Sequence, residues 1–315
     1  MFNILRQNAR LRQAGILGIN RRNADYTLKY NPRHLYPLVD DKYRTKLLAQ
    51  QAGINVPELY QVVETEHDTC YVHEKLADHT DFVVKPASGS GGDGIIVITG
   101  RRKQAYRKIS GKLLSPEQLT HHLSNILSGM YSLGGHIDKA LIEYRVRFDP
   151  IFNDISYQGV PDIRIIVFLG VPVMAMVRLP TQLSDGKANL HQGAIGVGID
   201  IVTGVTNFAV WRNTNITEHP DTGVEVSGIQ LPQWDNMLEI AVRCYELTGL
   251  GYLGIDIVLD RELGPLMLEL NARPGLNIQI ANRQGLLHRL QKIEADHLEL
   301  QTVSQRIAYA RHHFT

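Results

Sequence analysis

The sequence predicts an α+β fold on three observations. Strand-like runs outnumber helix-like ones. The two kinds do not alternate as strand–helix–strand units would. A glycine-rich loop joins two strands rather than a strand and a helix. The chain has 315 residues, 43% of them hydrophobic and 21% charged, which is enough apolar material for a sizeable core. A net charge of +1 excludes a strong overall attraction to nucleic acid or to an acidic membrane. Cys70 and Cys244 form no CxxC pair, and the N-terminus has no apolar run of signal-peptide length, so a reducing, cytoplasmic setting is expected. The longest apolar stretch, 165–177, is interrupted by Gly170 and Pro172 and is too short to span a bilayer.

Taken in order, residues 1–40 form a short basic segment, with Arg6, Arg10, Arg12, Arg21, Arg22, Lys29 and Arg33 against Asp25 and Asp40. Such a run is either a solvated arm or an anion-binding, docking segment. Residues 41–53 read as a helix, with Leu47, Leu48 and Ala52 on one face and Gly53 at its stop. Val56-Pro57 begins an extended stretch. Residues 82–86 form a β-branched strand, 88–94 a glycine-rich loop and 95–98 a second strand, together a hairpin. A helix is expected over 116–130, from Leu119, Leu123, Ile126 and Leu127 on one side. Residues 140–146 read as a strand and 162–177 as a hairpin. A polar, glycine-containing stretch covers 185–198, an amphipathic helix 237–248, and two strands 253–259 and 266–270.

Gly89, Gly91 and Gly94 match G-x-G-x-x-G, but a dinucleotide site needs a helix after the loop and here a strand follows. No Gly-Lys-Ser/Thr follows either, which excludes a Walker loop. A glycine loop between strands can close over phosphates as a flap, its N–H groups free to meet anionic oxygens. Protein kinases carry their lysine on a strand after such a loop, whereas Lys85 precedes this one. The bland alternative is a flexible hairpin tip. Lys85 beside it supplies a compact positive charge suited to phosphate.

Asp256 lies among Gly254-Ile255-Asp256-Ile257-Val258, and Glu269 and Asn271 among Met267-Leu268-Glu269-Leu270-Asn271. Strand alternation puts Glu269 and Asn271 on one face and Leu268 and Leu270 on the other. If the two strands are neighbours, two carboxylates and an amide oxygen converge, a hard-oxygen set suited to magnesium shared with phosphates. The alternative is that each acid pairs with a local arginine, Arg273 being available. Asp162 and Arg164 share a face of their strand. They form either a surface ion pair or a group in which Arg164 stabilises a transferring phosphoryl group. Lys187, Asn189 and His191 alternate just before Gly193.

In this order the pieces resemble an ATP-grasp ligase. The tokens are Asp41-Lys42, Phe82-Val83-Val84-Lys85-Pro86, Ser88-Gly89-Ser90-Gly91-Gly92-Asp93-Gly94, Leu141-Ile142-Glu143-Tyr144-Arg145-Val146, and Asp256, Glu269 and Asn271. Within that family, Asp162-Ile163-Arg164, Asn189-Leu190-His191-Gln192-Gly193 and Glu269-Leu270-Asn271-Ala272-Arg273-Pro274-Gly275-Leu276 are most similar to the α-L-glutamate ligases (RimK-like) or a related branch.

The resemblance implies two α+β subdomains sandwiching ATP, 41–146 with the flap and 147–315 with the metal and substrate site, behind an N-terminal region too short for the folded domain that such ligases usually carry. It implies that Lys42 and Lys85 hold the α- and β-phosphates, and that Ser88, Gly89, Gly91, Gly92 and Gly94 cover the γ-phosphate. Glu143, Tyr144 and Val146 would hold adenine, and Asp162 or Asp149 the ribose. Asp256, Glu269 and Asn271 would hold magnesium or manganese, and Arg164, Arg273 and Asn189 would serve the reacting groups. The implied reaction joins a carboxylate to an amine through an acyl phosphate, with glutamate or a similar amino acid going to a peptide, protein or small-molecule acceptor. A homodimer or a partner protein would complete the substrate wall. A phosphotransferase on the same scaffold and a non-catalytic ATP-binding subunit are the rival expectations.

Overall fold

The structure, a computed structural model, describes residues 10–11, 13–89, 91–132, 134–296 and 300–314. Arg6, Arg12 and Ser90, singled out above, lie outside the described residues. The chain divides into two compact units.

The smaller unit comprises Asp41–Leu47 and Val56–Arg147. Its sheet contains β1 (Leu59–Val63), β2 (Phe82–Pro86), β3 (Ile96–Arg102), β4 (Ala105–Lys108), β5 (Leu113–Leu114) and β6 (Ala140–Glu143), in the order β1-β6-β2-β3-β4-β5. Every pairing is antiparallel. The helix Pro116–Leu127 starts where Ser115 and Gln118 form a reciprocal capping box with proline at the first position. It buries Leu119, Leu123, Ile126 and Leu127 against Phe82, Val84, Ile98 and Ile142. It ends at Leu127 rather than at 130, because Gly129 is left-handed with φ +82°. The expected strand 140–146 ends at Glu143, and the strand after the glycine loop begins at Ile96 and runs on to Arg102.

The larger unit comprises Met1–Asp40, Leu48–Asn55 and Phe148–Thr315. Its strands are β7 (Asp162–Phe168), β8 (Val171–Leu179), β9 (Ile195–Ile199), β10 (Thr206–Trp211), β11 (Thr214–Ile216), β12 (Tyr252–Asp260) and β13 (Gly264–Asn271), ordered β11-β10-β9-β8-β7-β12-β13. All neighbours are again antiparallel. β7 and β12 are buried along their whole length. Helices Trp234–Thr248 and Val303–His313 pack on this sheet. The stretch read as polar and glycine-containing holds β9, whose Gly196 and Gly198 dilute the strand signal.

Opposed residues of an antiparallel ladder share a face. Glu269, Asp256 and Arg164 are therefore neighbours across β13, β12 and β7. The adjoining row on the same face runs Asp162, Arg178, Gly196 and Val210 across β7, β8, β9 and β10. Register alone thus collects charged residues from four strands of an apolar sheet.

Candidate active site

In the smaller unit, the Asp41 carboxylate accepts hydrogen bonds from Tyr43 N (2.9 Å) and Arg44 N (3.2 Å) and caps the helix Lys42–Gln51. Lys42 Nζ donates to Gly89 O at 2.5 Å, tying the helix start to the glycine loop. One turn on, Lys46 is buried and donates to Pro57 O and to Glu143 Oε2, each at 2.5 Å. Lys85 pairs with the other oxygen, Glu143 Oε1. Burial alone would raise the Glu143 carboxyl, but Lys85 and Lys46 outweigh it and hold the group below the usual carboxylate range. Burial pushes the Lys46 ammonium down to about 8, against the pull of Glu143. Two cations on one carboxylate leave a surplus positive charge in a low-dielectric place, which suits a phosphate.

The loop between β2 and β3 is held at both ends. Ser88 N donates to both oxygens of buried Asp138, at 3.0 and 3.1 Å. His122 Nε2 lies 2.8 Å from Gly94 O. Gly91, Gly92 and Gly94 all have positive φ. At Gly94 the requirement for glycine is double: φ is +75°, and a Cβ would lie 2.6 Å from the Tyr131 ring. After β6, Tyr144 N donates to Glu58 O at 2.8 Å and Val146 is buried. Glu143, expected at the adenine base, has both oxygens on lysines.

In the larger unit, Arg164 donates from Nε to Asp256 Oδ1 at 2.7 Å and from Nη2 to Oδ2 at 2.6 Å. Arg178 grips Asp162 through two bonds and reaches Asp256 Oδ2 at 2.7 Å. Asp162 and Arg164 are thus buried, and each pairs with a partner on a neighbouring strand rather than with the other at the surface. Burial would raise the Asp256 carboxyl, but Arg164 and Arg178 overcome it and hold the group well below the usual range. The same ion pairs raise the Arg178 guanidinium against burial.

Asn271 Nδ2 lies 3.3 Å from Asp256 Oδ2, and Glu269 comes within hydrogen-bonding reach of the Asp256 carboxyl. Asp162, Asp256 and Glu269 against Arg164 and Arg178 leave one net negative charge. Asp256 is thus paired with arginines, the alternative the sequence left open, though with Arg164 and Arg178 rather than Arg273; Asp256, Glu269 and Asn271 together still offer the hard-oxygen donor types that suit magnesium. Arg273 does not join this group; its guanidinium lies over the Tyr36 ring, 5.4 Å from the centroid. Asn189 Oδ1 accepts from His191 N at 3.0 Å and caps the turn Leu190–Gln192. Asp149 caps the turn Pro150–Phe152 in the same way.

A cavity of about 580 Å³ opens in this unit, with His191, Gln192, Arg212, Asn213 and Asn277 as its polar lining. Leu183, Leu190, Val210 and Ile280 supply its apolar wall. Arg212 and Asn213 form the two-residue turn between β10 and β11, both left-handed at φ +48° and +64°. Val210 stands two strands from Arg178 on the shared row, or about 10 Å by strand spacing.

Sequence reasoning missed Arg178, Lys46 and Asp138. Arg178 carried a signal, being the sole charged residue of β8. Lys46 follows Lys42 at the i+4 spacing that shares a helix face.

Two antiparallel sheets with a glycine flap in one and an acid–amide set in the other define an ATP-grasp fold. The chain belongs to the sugar-transfer associated ATP-grasp family, whose pattern matches residues 21–295. The D-alanine–D-alanine ligase of Neisseria meningitidis serogroup A / serotype 4A (strain DSM 15465 / Z2491) is 26% identical over 239 residues, covering 75% of this chain and 58% of that ligase. The chain thus spans less than two thirds of the length of the curated relatives it matches. Among solved structures, D-cycloserine synthetase DcsG is similar with a TM-score of 0.50 at 16% identity, over 85% of this chain and 73% of that one. The ATP-grasp ligase PsnB, complexed with a minimal precursor, gives a TM-score of 0.48 at 18% identity, over 85% and 64%. No helix among the described residues is long and apolar enough to cross a membrane.

Proposed function

We propose that the protein is an ATP- and magnesium-dependent carboxylate–amine ligase of the α-L-glutamate-ligase-like (RimK-like) branch. It adds glutamate or a similar amino acid to a peptide, protein or small-molecule acceptor. The observation that carries this reading is the meeting of Asp256, Glu269 and Asn271 across β12 and β13, backed by Arg164 and Arg178.

Lys85, Lys46 and Lys42 bind phosphate oxygens, with Glu143 orienting the first two. The backbone of Gly89, Gly91, Gly92 and Gly94, with Ser88, covers the terminal phosphate and keeps water away. The backbone at Tyr144 and Val146 meets adenine; of the two acids expected at the ribose, Asp162 has both oxygens on Arg178, which leaves Asp149. Asp256, Glu269 and Asn271 hold magnesium, which when bound neutralises phosphate charge; manganese suits the same donors. A carboxylate oxygen of the substrate attacks the γ-phosphorus and the bond to ADP breaks. The amine then attacks the carbonyl carbon of the acyl phosphate, inorganic phosphate leaves, and the nitrogen gives up a proton. Arg164 and Arg178 stabilise charge on the transferring group, with Arg273 and Asn189 at the substrate side.

The cavity beside Arg212 supports an acidic substrate, since its lining holds an arginine, a histidine and amides but no carboxylate. The test is ATP turnover in Asp256→Asn and Glu269→Ala. Both are expected to lose turnover while retaining the folded state by circular dichroism. Wild-type turnover in both overturns the metal assignment.

A further inference from the structure

The loop after Asn271 is held residue by residue by the N-terminal segment of the same unit. Asn31 Nδ2 donates to Ala272 O at 2.9 Å. The Tyr36 ring lies under the Arg273 guanidinium. Arg22 Nη1 donates to Pro274 O at 2.6 Å. Three successive loop residues thus have three separate N-terminal partners.

The anchors themselves are firmly built. Asn31 is 1% exposed, and its amide also bridges β12, with Nδ2 donating to Tyr252 O (2.7 Å) and Oδ1 accepting from Tyr252 N (2.9 Å). It behaves as a short extra rung at the start of the strand that carries Asp256. Tyr26 and Tyr30 pack edge-on against Phe168, at 5.5 and 4.9 Å between centroids. Arg22 opens a π-helical turn, Arg22–Thr27, that buries Arg22, Tyr26 and Thr27. Such turns are rare and interrupt the ordinary helical register. Further along, buried Gln279 exchanges two hydrogen bonds with the Leu17 backbone, at 2.8 and 3.1 Å.

A buried guanidinium is costly where a hydrophobic side chain of equal size would pack. Arg22 is 7% exposed; it donates from Nε to the adjacent Asn23 Oδ1 at 2.8 Å, and its distant acceptor is a carbonyl of this loop. The opposite side of the loop is equally constrained. Gly254 lies under Pro274, and a Cβ there would sit 2.6 Å from the proline ring. The loop is pressed onto the sheet from below and gripped by Arg22 and Asn31 from the side.

We propose that Arg22 and Asn31 are positioning residues: the N-terminal segment fixes residues 272–274, and through them the direction of Asn271 and of the substrate-side Arg273. The effect on catalysis rests on the ligase reading; the effect on the loop does not. The basic segment has a divided character. Arg21 and Lys29 are solvated, whereas Arg22 is a buried part of the larger unit.

The experiment uses the full chain as wild type, Arg22→Met, Arg22→Lys, Asn31→Asp and the exposed control Arg21→Ala. Amide hydrogen exchange is read at residues 272, 273, 275 and 276, beside steady-state ATP turnover. Exchange in the loop is expected to rise about tenfold or more in Arg22→Met and Asn31→Asp, less in Arg22→Lys, and not in Arg21→Ala. Turnover is expected to lose kcat by about 10²-fold in Arg22→Met with KM for ATP little changed, and Arg22→Lys recovers part of it. Unchanged loop exchange in Arg22→Met and Asn31→Asp overturns the proposal. So does a loosened loop with unchanged kcat. If the wild type turns over no ATP, the ligase reading fails, and loop exchange alone decides whether the segment fixes the loop.

Discussion

Replacing Arg178 by methionine removes the cation that holds two acids on the larger sheet. Asp162 is 6% exposed, and its carboxylate has both oxygens on Arg178. Asp256 keeps the two-point grip of Arg164 and its approach to Asn271, so it loses one bond of several. The main cost is therefore an uncompensated carboxylate at Asp162, about 3–5 kcal/mol for breaking a buried pair from one side. For a unit of roughly 200 residues that is a fall in Tm of about 6–20 °C. Burial already pushes the Asp162 carboxyl upward, and without Arg178 that rise goes unopposed by its main partner. The folded state then binds a proton that the unfolded state has released. Because the wild-type Asp162 carboxyl is itself already raised to about 7, the variant's stability deficit must shrink as pH is lowered from about 9 toward 7 and change little below that. Scanning calorimetry at pH 9 and pH 7 reads both effects. Adding Asp162→Asn to Arg178→Met removes the unpaired charge, and the double variant is expected to recover most of the loss. A single variant within about 1 kcal/mol of wild type, or a double variant no better than the single, would refute the reasoning.

Three further outcomes follow from single groups. Lys46, pushed down to about 8 by burial, has a folded pKa below its unfolded value, so wild-type stability is expected to rise between pH 8 and pH 10. Lys46→Met should flatten that rise, on the order of 3 kcal/mol, in urea titrations. Cys70 is exposed, whereas Cys244 is fully buried with its thiol pushed up to about 12, so native protein should take up one equivalent of maleimide quickly and a second only on unfolding. Gly94→Ala must place a methyl group against Tyr131 at a left-handed position, so nucleotide affinity by calorimetry is expected to fall about tenfold or more, with stability lowered by about 1–3 kcal/mol. Affinity equal to wild type would remove the loop from the nucleotide site.

Much of the acid–amide set was legible because strand alternation is local: Glu269 and Asn271 declare their shared face within three residues, and Asp256 stands out in an apolar run. Which arginine meets which acid was not legible. Arg178 opposes Asp162, and Arg164 opposes Asp256, through the registers of β7 with β8 and of β7 with β12, the first shifted by an irregularity at Ile166/Val167. Such long-range register is set by packing rather than by neighbouring residues. Asn31 was silent for the same reason, its partners lying more than two hundred positions away. Arg22 was hidden by the π-turn, which breaks the helical period by which a buried face is recognised. The strand–glycine loop–strand arrangement with Lys85 before the loop was legible, whereas the sharing of Glu143 between Lys46 and Lys85 depends on β2 lying beside β6.

The most direct test of the central claim is ATP turnover with magnesium over a pool of amino acids and short acidic peptides, with mass spectrometry of the products. The account predicts ADP and phosphate together with a new amide, its mass equal to the two substrates less one water, and dependence on Glu269. A phosphorylated product without an amide would contradict the ligase in favour of a phosphotransferase. ATP bound without turnover would contradict it in favour of a non-catalytic nucleotide site.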